Sequence, residues 1–351
     1  GTTTFFVTYM LPPSLPPAEC PPGSAASEYC GSAEGGAYVF SIFGLCGPRH
    51  QAQLLTAARL LQQTQPAFPL AAMLSPTCHR NATFRAILVG ESVTPLCVQR
   101  FANVRCRGDK QLRDEGRSDY LGYSTFDEHW TKLNVLNLTG LRGALYLDSD
   151  VVVRRNLDHV LRSLLSSPHL SEIRTPQGCL QAELAHRFFN TGVWAVRPDA
   201  TVFGALVRWL LAGHSACWDG DQSAAMGFLH VGGPGRVQRA NVSLLHAGYN
   251  LKADQGPASC LGKLHLNESE VHAVHFSGNE KPFVSRRGKD PLWHMARNAY
   301  MSAFSHWAAR IGGLSVCVGP RQSHAKGCYE PAANESAWSR RTDTARKRSW
   351  S

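Results

Sequence analysis

Asp148-Ser149-Asp150 sets two carboxylates two residues apart, directly after the apolar run Ala144–Leu147. Side chains of an extended chain alternate with period two, so both acids lie on one side of the backbone. A hard divalent cation accepts such oxygens and keeps open positions for the oxygens of a diphosphate. The same spacing also occurs in solvated turns after strands, so its meaning depends on its company. Four further groups supply that company: Lys132-Leu133, Phe189-Asn190-Thr191-Gly192-Val193, Asp219-Gly220-Asp221-Gln222, and the run His275-Phe276-Ser277-Gly278-Asn279-Glu280-Lys281-Pro282-Phe283. Together they offer carboxylates, amides, an imidazole and two ammonium groups, a set suited to gripping a phosphorylated and hydroxylated ligand.

These residues need a frame. Ala37–Phe43 is a short apolar run, Gln51–Gln63 has helical periodicity, and Phe68–Leu74 is apolar again between proline signals, which together predict a β-α-β opening. Thr125 and Glu128 have capping-box spacing, predicting a helix that starts at Ser124 or Thr125, continues through Leu133, Leu136 and Leu138, and ends at Gly140 and Gly143. Ala144–Leu147 reads as a buried strand that delivers Asp148 and Asp150 at its end, followed by the β-branched run Val151–Val153. Beyond it, Gly192–Val196 reads as a strand, Asp199–Leu211 and Asp221–Leu229 as helices, and Val271–Phe276 as a strand. Such alternation predicts an α/β fold, a mixed sheet with helices on both faces.

The ordered motifs resemble those of glycosyltransferase family 8, retaining enzymes of the Rossmann-like GT-A fold, over about seven-tenths of the chain from Ala37 to Phe283. The resemblance implies a mostly parallel sheet flanked by helices in a single catalytic domain over 37–311. It also implies that Asp148, Asp150 and His275 hold Mn²⁺, or another divalent cation, bridging the diphosphate of a UDP-sugar. A Lewis acid suits a leaving group that develops negative charge on phosphate. By the same resemblance Ser149 belongs to the donor site, Gly278 gives close backbone approach to the diphosphate, and Lys281 and Lys132 meet donor phosphate or sugar. Asn190, Thr191 and Gly192 match a stretch beside the transferred sugar, with Thr keeping the hydroxyl of the usual Ser. Asp221 and Gln222 match the pair that grips sugar hydroxyls and lies near the anomeric carbon; with Asn190 they are the expected catalytic residues. Asp219 stands one glycine closer to Asp221 than in many relatives, which leaves its role open. Phe283 replaces the usual Trp, keeping an aromatic wall without the indole donor. Ser41, Phe43 and Gly44 occupy the place of uracil and ribose contacts, although the usual Asn, Asp or Thr residues are missing there. Tyr249-Asn250-Leu251 resembles a segment near the donor with no assigned role.

The function this implies is transfer of a hexosyl unit, with retention, from a UDP-sugar to an acceptor hydroxyl on a glycan, glycoprotein or small polyol. Retention can proceed by double displacement through Asp221 or a neighbour, or by front-face attack with Gln222 steadying a cationic sugar. The absence of a motif that positions one unambiguous nucleophile favours the front-face route. Two alternatives stand beside it. A glycogenin-like self-glycosylating initiator would need a presented tyrosine, for which Tyr120, Tyr123 and Tyr329 are candidates. A non-catalytic glycan-binding protein of this fold would be expected to lose metal ligands that this chain keeps.

Composition narrows the setting. The 351 residues are 43% hydrophobic and 18% charged, which supports a packed core and excludes disorder of the whole chain. No apolar run approaches the roughly 18 to 20 residues that cross a bilayer. The net charge of +10 is partly concentrated in 339–351, where five basic residues face one acid, and no basic run is interleaved with aromatics, so nucleic acid is not expected as a partner. Residues 1–36, rich in Pro, Gly and Ser, read as a stem, and 312–351 as a basic tail held locally by Cys317 and Cys328. Eleven cysteines with no CxxC pair, and sequons at Asn81, Asn137, Asn241, Asn267 and Asn334, point to disulfides and the secretory pathway. The expectation is a Golgi lumenal enzyme with an anchor upstream of Gly1, and the resemblance allows a homodimer.

Overall fold

The computed structural model describes residues 20, 29–42, 46–99, 130–168, 172–176, 190–213, 220–225, 227–228, 241–252, 266–276, 282 and 291–311. The predicted opening is present as β1 (Gly36–Ser41), α1 (Pro48–Gln62) and β2 (Leu70–Leu74). Proline in the first turn of α1 uses a position where the amide N–H has no helical partner. Two short helices, α2 (Pro76–His79) and α3 (Ala82–Gly90), lead to β3 (Val93–Cys97). Asn81 caps α3 by accepting the Phe84 N–H at 3.0 Å.

The chain then departs from expectation. Trp130–Asn137 forms a 3-10 segment rather than an α-helix, and the expected start at Ser124 or Thr125 lies outside the described residues. Trp130 through Leu136 are all buried, the polar Thr131, Lys132 and Asn134 included, so tertiary packing rather than an amphipathic period fixes the segment. β4 (Gly143–Leu147), β5 (Val151–Val153), α4 (Asp158–Leu165), β6 (Glu172–Pro176), β7 (Val193–Val196) and α5 (Ala200–Leu211) follow. The start of α5 is capped by Asp199, whose carboxylate accepts from Thr201 and Val202 N–H. α6 (Gly220–Ala225), followed by Gly227 and Phe228 in π-helical form, falls on the expected 221–229 helix, of which residues 226 and 229 are outside the described ones. β8 (Asn241–Leu245), β9 (Leu251–Lys252), β10 (Ala273–His275) and the long α7 (Pro291–Ile311) complete the described elements.

The main sheet has the order β3-β2-β1-β4-β7-β6-β8. Its pairs are parallel except where β7 runs against β4 and β6. A second sheet, β5-β10-β9, sets β10 antiparallel to β5 and parallel to β9. Strand parity sorts side chains into two cores. Tyr38, Phe40, Leu145 and Leu147 pack on one face with α1, α4 and α7, while Val39, Ala144, Tyr146 and Trp194 pack on the other with the 3-10 segment, α5 and α6. Burial on both faces explains why these strands read as continuous apolar runs. Disulfides join Cys20 to Cys97 and Cys46 to Cys78, so Cys20, in the segment expected to be a stem, is tied to the end of β3. Cys317, Cys328 and the expected tail lie outside the described residues, and no helix among those described is long and apolar enough to cross a membrane.

Candidate functional site

β4 is the last strand of the parallel run, and its neighbour β7 is antiparallel, so the chain leaving β4 emerges where the sheet changes direction. There the backbone is pinned on several sides. Asp148 N–H donates to Gly192 O at 2.8 Å, Phe276 N–H donates to Asp150 O at 3.0 Å, and Tyr300 of α7 donates its hydroxyl to Ser149 O at 3.2 Å. The register of β10 on β5 sets His275 opposite Val151, one residue beyond Asp150.

His275 Nε2 thereby lies 3.2 Å from Asp150 Oδ1 and 3.7 Å from Asp148 Oδ2. The ligand atoms of Asp148, Asp150 and His275 all fall within 4.8 Å of one another. Two carboxylates and an imidazole suit a borderline-hard divalent cation. The surroundings fit the same use. His275 is 3% exposed and its Nδ1 has no hydrogen-bond partner. Gly192 leaves room for the ring, because a Cβ there would lie 2.5 Å from Nδ1 and closer still to Cε1.

Lys132 is the electrostatic centre of the site. Its ammonium sits 3.0 Å from Asp148 Oδ1 and 2.8 Å from Asp221 Oδ2, and donates to Thr191 Oγ1 at 3.4 Å. Burial works to lower its pKa, but Asp148 and Asp221 outweigh burial and raise it, so Lys132 is a fixed cation. Thr191 donates its hydroxyl to the same Asp221 oxygen at 2.5 Å. On the other side Asn190 donates from Nδ2 to Gln222 Oε1 at 2.7 Å, a second hydrogen-bonded pair whose members directly adjoin Thr191 and Asp221 in sequence.

Ser41 takes a different place from a nucleoside contact. It is fully buried, and its hydroxyl is 2.7 Å from the Tyr146 hydroxyl. Tyr146 in turn donates to Asp148 Oδ1 at 2.9 Å, which leaves Ser41 to donate to Tyr146. Burial first, and then the Asp148 charge, push the Tyr146 pKa well above its usual range, so it remains a phenol that aims the carboxylate. Ser41 thus supports Asp148 from behind. Phe43, Gly44, Asp219, Gly278, Lys281 and Phe283 lie outside the described residues, as do Tyr120, Tyr123 and Tyr329. Pro282 of the same run is described; it is buried and accepts from Arg297 Nε at 2.8 Å.

Two contributors, Tyr146 and Asn250, have no role assigned from the sequence. Tyr146 is two residues before Asp148, so strand parity already puts it on the carboxylate's side. Asn250 donates from Nδ2 to Asn190 Oδ1 at 2.8 Å, across 60 residues of sequence that no local pattern spans.

No protein family matches the sequence, and no curated protein matches it. Solved structures do. The galactosyltransferase LgtC, in complex with donor and acceptor sugar analogs, is 15% identical with a TM-score of 0.50, covering 82% of this chain and 98% of its own. The chain has a glycosyltransferase fold. GlyE of Streptococcus pneumoniae TIGR4 is 16% identical with a TM-score of 0.49 over 78% of this chain, which spans only 63% of the GlyE chain. Mouse xyloside xylosyltransferase 1 is 12% identical with a TM-score of 0.45, covering 70% of this chain and 99% of its own. At such identities the likeness concerns the fold, and the chemistry rests on the residues above.

Proposed function

We propose that this protein is a retaining, metal-dependent hexosyltransferase of the family 8 type, moving a sugar from a UDP-sugar to an acceptor hydroxyl on a glycan, glycoprotein or small polyol. The observation that carries the reading is the convergence of Asp148, Asp150 and His275 within 4.8 Å, beside the Lys132–Asp221–Thr191 network, at the point where the sheet changes direction. Open α/β sheets bind ligands at such crevices. Mn²⁺ held by these three residues would stabilise the negative charge that grows on the departing diphosphate.

The chain's own residues do the rest. Lys132 holds a positive charge beside Asp148, where phosphate or sugar oxygens of the donor would approach. Asp221 offers its carboxylate to sugar hydroxyls, with Oδ2 already engaged by Lys132 and Thr191. That engagement reduces its nucleophilicity and favours the front-face route, in which the leaving phosphate oxygen takes the acceptor proton. Asn190 fixes the Gln222 amide beside the sugar. Gly278 and Lys281 complete the diphosphate contacts in this reading, and Phe43 and Gly44 the nucleoside end. The two disulfides support an oxidising, secretory setting such as the Golgi lumen.

A thermal-shift panel of UDP- and GDP-sugars with and without Mn²⁺ tests the reading, since a ligand that binds the folded state alone raises its midpoint. A Mn²⁺-dependent rise with a UDP-sugar, lost in Asp150→Ala, is expected. No rise with any nucleotide sugar would move the protein to the non-catalytic class.

A further inference from the structure

Three side-chain amides run in series under the sugar end of the site: Asn250 Nδ2 to Asn190 Oδ1 at 2.8 Å, then Asn190 Nδ2 to Gln222 Oε1 at 2.7 Å. An amide's nitrogen and oxygen have nearly the same shape, so the direction of such a chain needs an outside reference. Gly192 provides one. Its backbone N–H can only donate, and it reaches Asn190 at 2.8 Å, which makes the receiving atom Oδ1. The Asn190 nitrogen must then face Gln222, and the Gln222 atom that receives it must be the oxygen. By the same logic the Asn250 atom beside Asn190 Oδ1 must be the nitrogen. One backbone N–H therefore orients all three amides.

Asn250 is the fixed end of this relay. It is 3% exposed, its N–H donates to Ala247 O at 3.0 Å, and it immediately precedes β9, which pairs with the β10 strand that carries His275. Its own Oδ1 is buried with no hydrogen-bond partner. An unmade bond of that kind weakens a fold, so packing alone is a poor account of an amide at this position. Gln222, at the other end, is half-buried and presents Nε2 away from Asn190.

We propose that Asn250 is a positioning residue for glycosyl transfer, acting through Asn190 to hold Gln222 with its oxygen turned inward and its Nε2 offered to the sugar pocket as a hydrogen-bond donor. The ligand chemistry this selects is an oxygen lone pair on a sugar hydroxyl or the leaving phosphate, so Gln222 steadies the departing group and not the cationic sugar that the resemblance implied. The inference rests on the hexosyltransferase reading above.

Asn250→Asp keeps the shape and removes the donor, so oxygen meets oxygen at Asn190 and the relay can reverse only against the Gly192 N–H. Asn250→Ser, small and neutral, removes the same bond without burying a charge and carries the test should the aspartate variant fail to fold. The measurement is UDP release from whichever UDP-sugar shifts the wild type in the presence of Mn²⁺. The expected result is a kcat at least about tenfold lower, with donor KM and the Mn²⁺–UDP thermal shift within about twofold of wild type, because the relay orients one group without forming the binding site. A folded Asn250→Ser variant with wild-type kcat overturns the proposal. So does a parallel loss of kcat, donor affinity and thermal stability, which would mark a purely structural residue. If the wild type itself gives no nucleotide shift, the hexosyltransferase reading falls first, and that outcome is distinct from the other two.

Discussion

Gly192→Ala is the sharpest test of the metal site, because it adds one carbon and no charge. The new Cβ would stand 2.5 Å from His275 Nδ1 and 2.8 Å from Asn190 Oδ1. Ordinary contact begins near 3.4 Å, so the imidazole must retreat by about 1 Å, against a tolerance of about 0.2 Å for a metal ligand. The backbone cannot easily give instead, since Gly192 O receives the Asp148 N–H at 2.8 Å and moving one moves the other. Either displacement separates His275 from the carboxylates. A disturbed supporting position typically lowers metal affinity 10- to 100-fold, or about 1.4 to 2.7 kcal/mol. Overpacking should lower stability by about 1–3 kcal/mol as well.

Titration of free Mn²⁺ by electron paramagnetic resonance, with UDP present, reads the affinity directly. Gly90→Ala serves as the control, because its Cβ would meet nothing within 4 Å, and it should leave Mn²⁺ affinity unchanged and move stability by no more than about 1 kcal/mol. An unchanged Mn²⁺ affinity in folded Gly192→Ala would refute the assignment of His275 as a ligand.

Other perturbations follow from the same structure. Lys132→Met leaves Asp148 and Asp221 buried without their shared cation, and should destabilise the metal-free protein by about 3–5 kcal/mol in chemical denaturation, with Mn²⁺ restoring part of the loss; a stability equal to wild type would contradict the charge assignment. Reduction should lower the melting midpoint, since the two disulfides close sequence separations of 77 and 32 residues and loop-closure entropy gives each about 4 kcal/mol; a midpoint insensitive to reductant would argue against them. His79 and His272 both have lowered pKa values, through burial first and then neighbouring positive groups. The unfolded chain therefore takes up their protons first, so their stabilising contribution is whole above about pH 6.5 and declines as pH falls through that value. Urea midpoints of His272→Gln should fall less than those of wild type between pH 7.5 and 5.5, and a steeper fall would refute the assignment.

The parts legible in the sequence are those where function and local geometry coincide. The apolar run Ala144–Leu147 announces a strand, observed as Gly143–Leu147 and buried throughout, and the acids after it emerge at its end. Asp199 and Asn81 are caps whose residue types already favour those positions. Legibility fails where the decisive partner is distant. Nothing around Lys132 tells a buried cation from a solvated one, because its counter-charges arrive from after β4 and from α6. Trp130–Asn137 packs against α5, α6, β1 and β2, distant partners that no local pattern reveals, and the spacing of Leu133, Leu136 and Leu138 imitates an α-helical period. Ser41 reads equally well as a loop-facing hydroxyl or a buried one, and only the pairing of β1 with β4 brings it to Tyr146. Cysteine count indicates disulfides, whereas their pairing depends on which distant segments meet, here Cys20 with the end of β3 and Cys46 with α2.

Charge explains why these distant groups belong together. Asp148, Asp150 and Asp221 bring three carboxylates to one crevice, and Lys132 supplies one ammonium to two of them. Leaving His275 aside, the group carries a formal charge of two negatives in a half-buried setting, where uncompensated charge is expensive. A divalent cation compensates that charge with the oxygen ligands already in place. Once it is bound, the crevice is close to neutral and no longer repels a nucleotide diphosphate, so metal and donor should bind in a coupled way, each raising the other's affinity by the same factor. Lys132 is central to this coupling because it contacts Asp148 and Asp221 at once. Neutralising either neighbour, by Asp148→Asn or Asp221→Asn, should therefore weaken that coupling and not merely one of the two affinities, and a full metal-by-UDP titration matrix on each variant would register the difference.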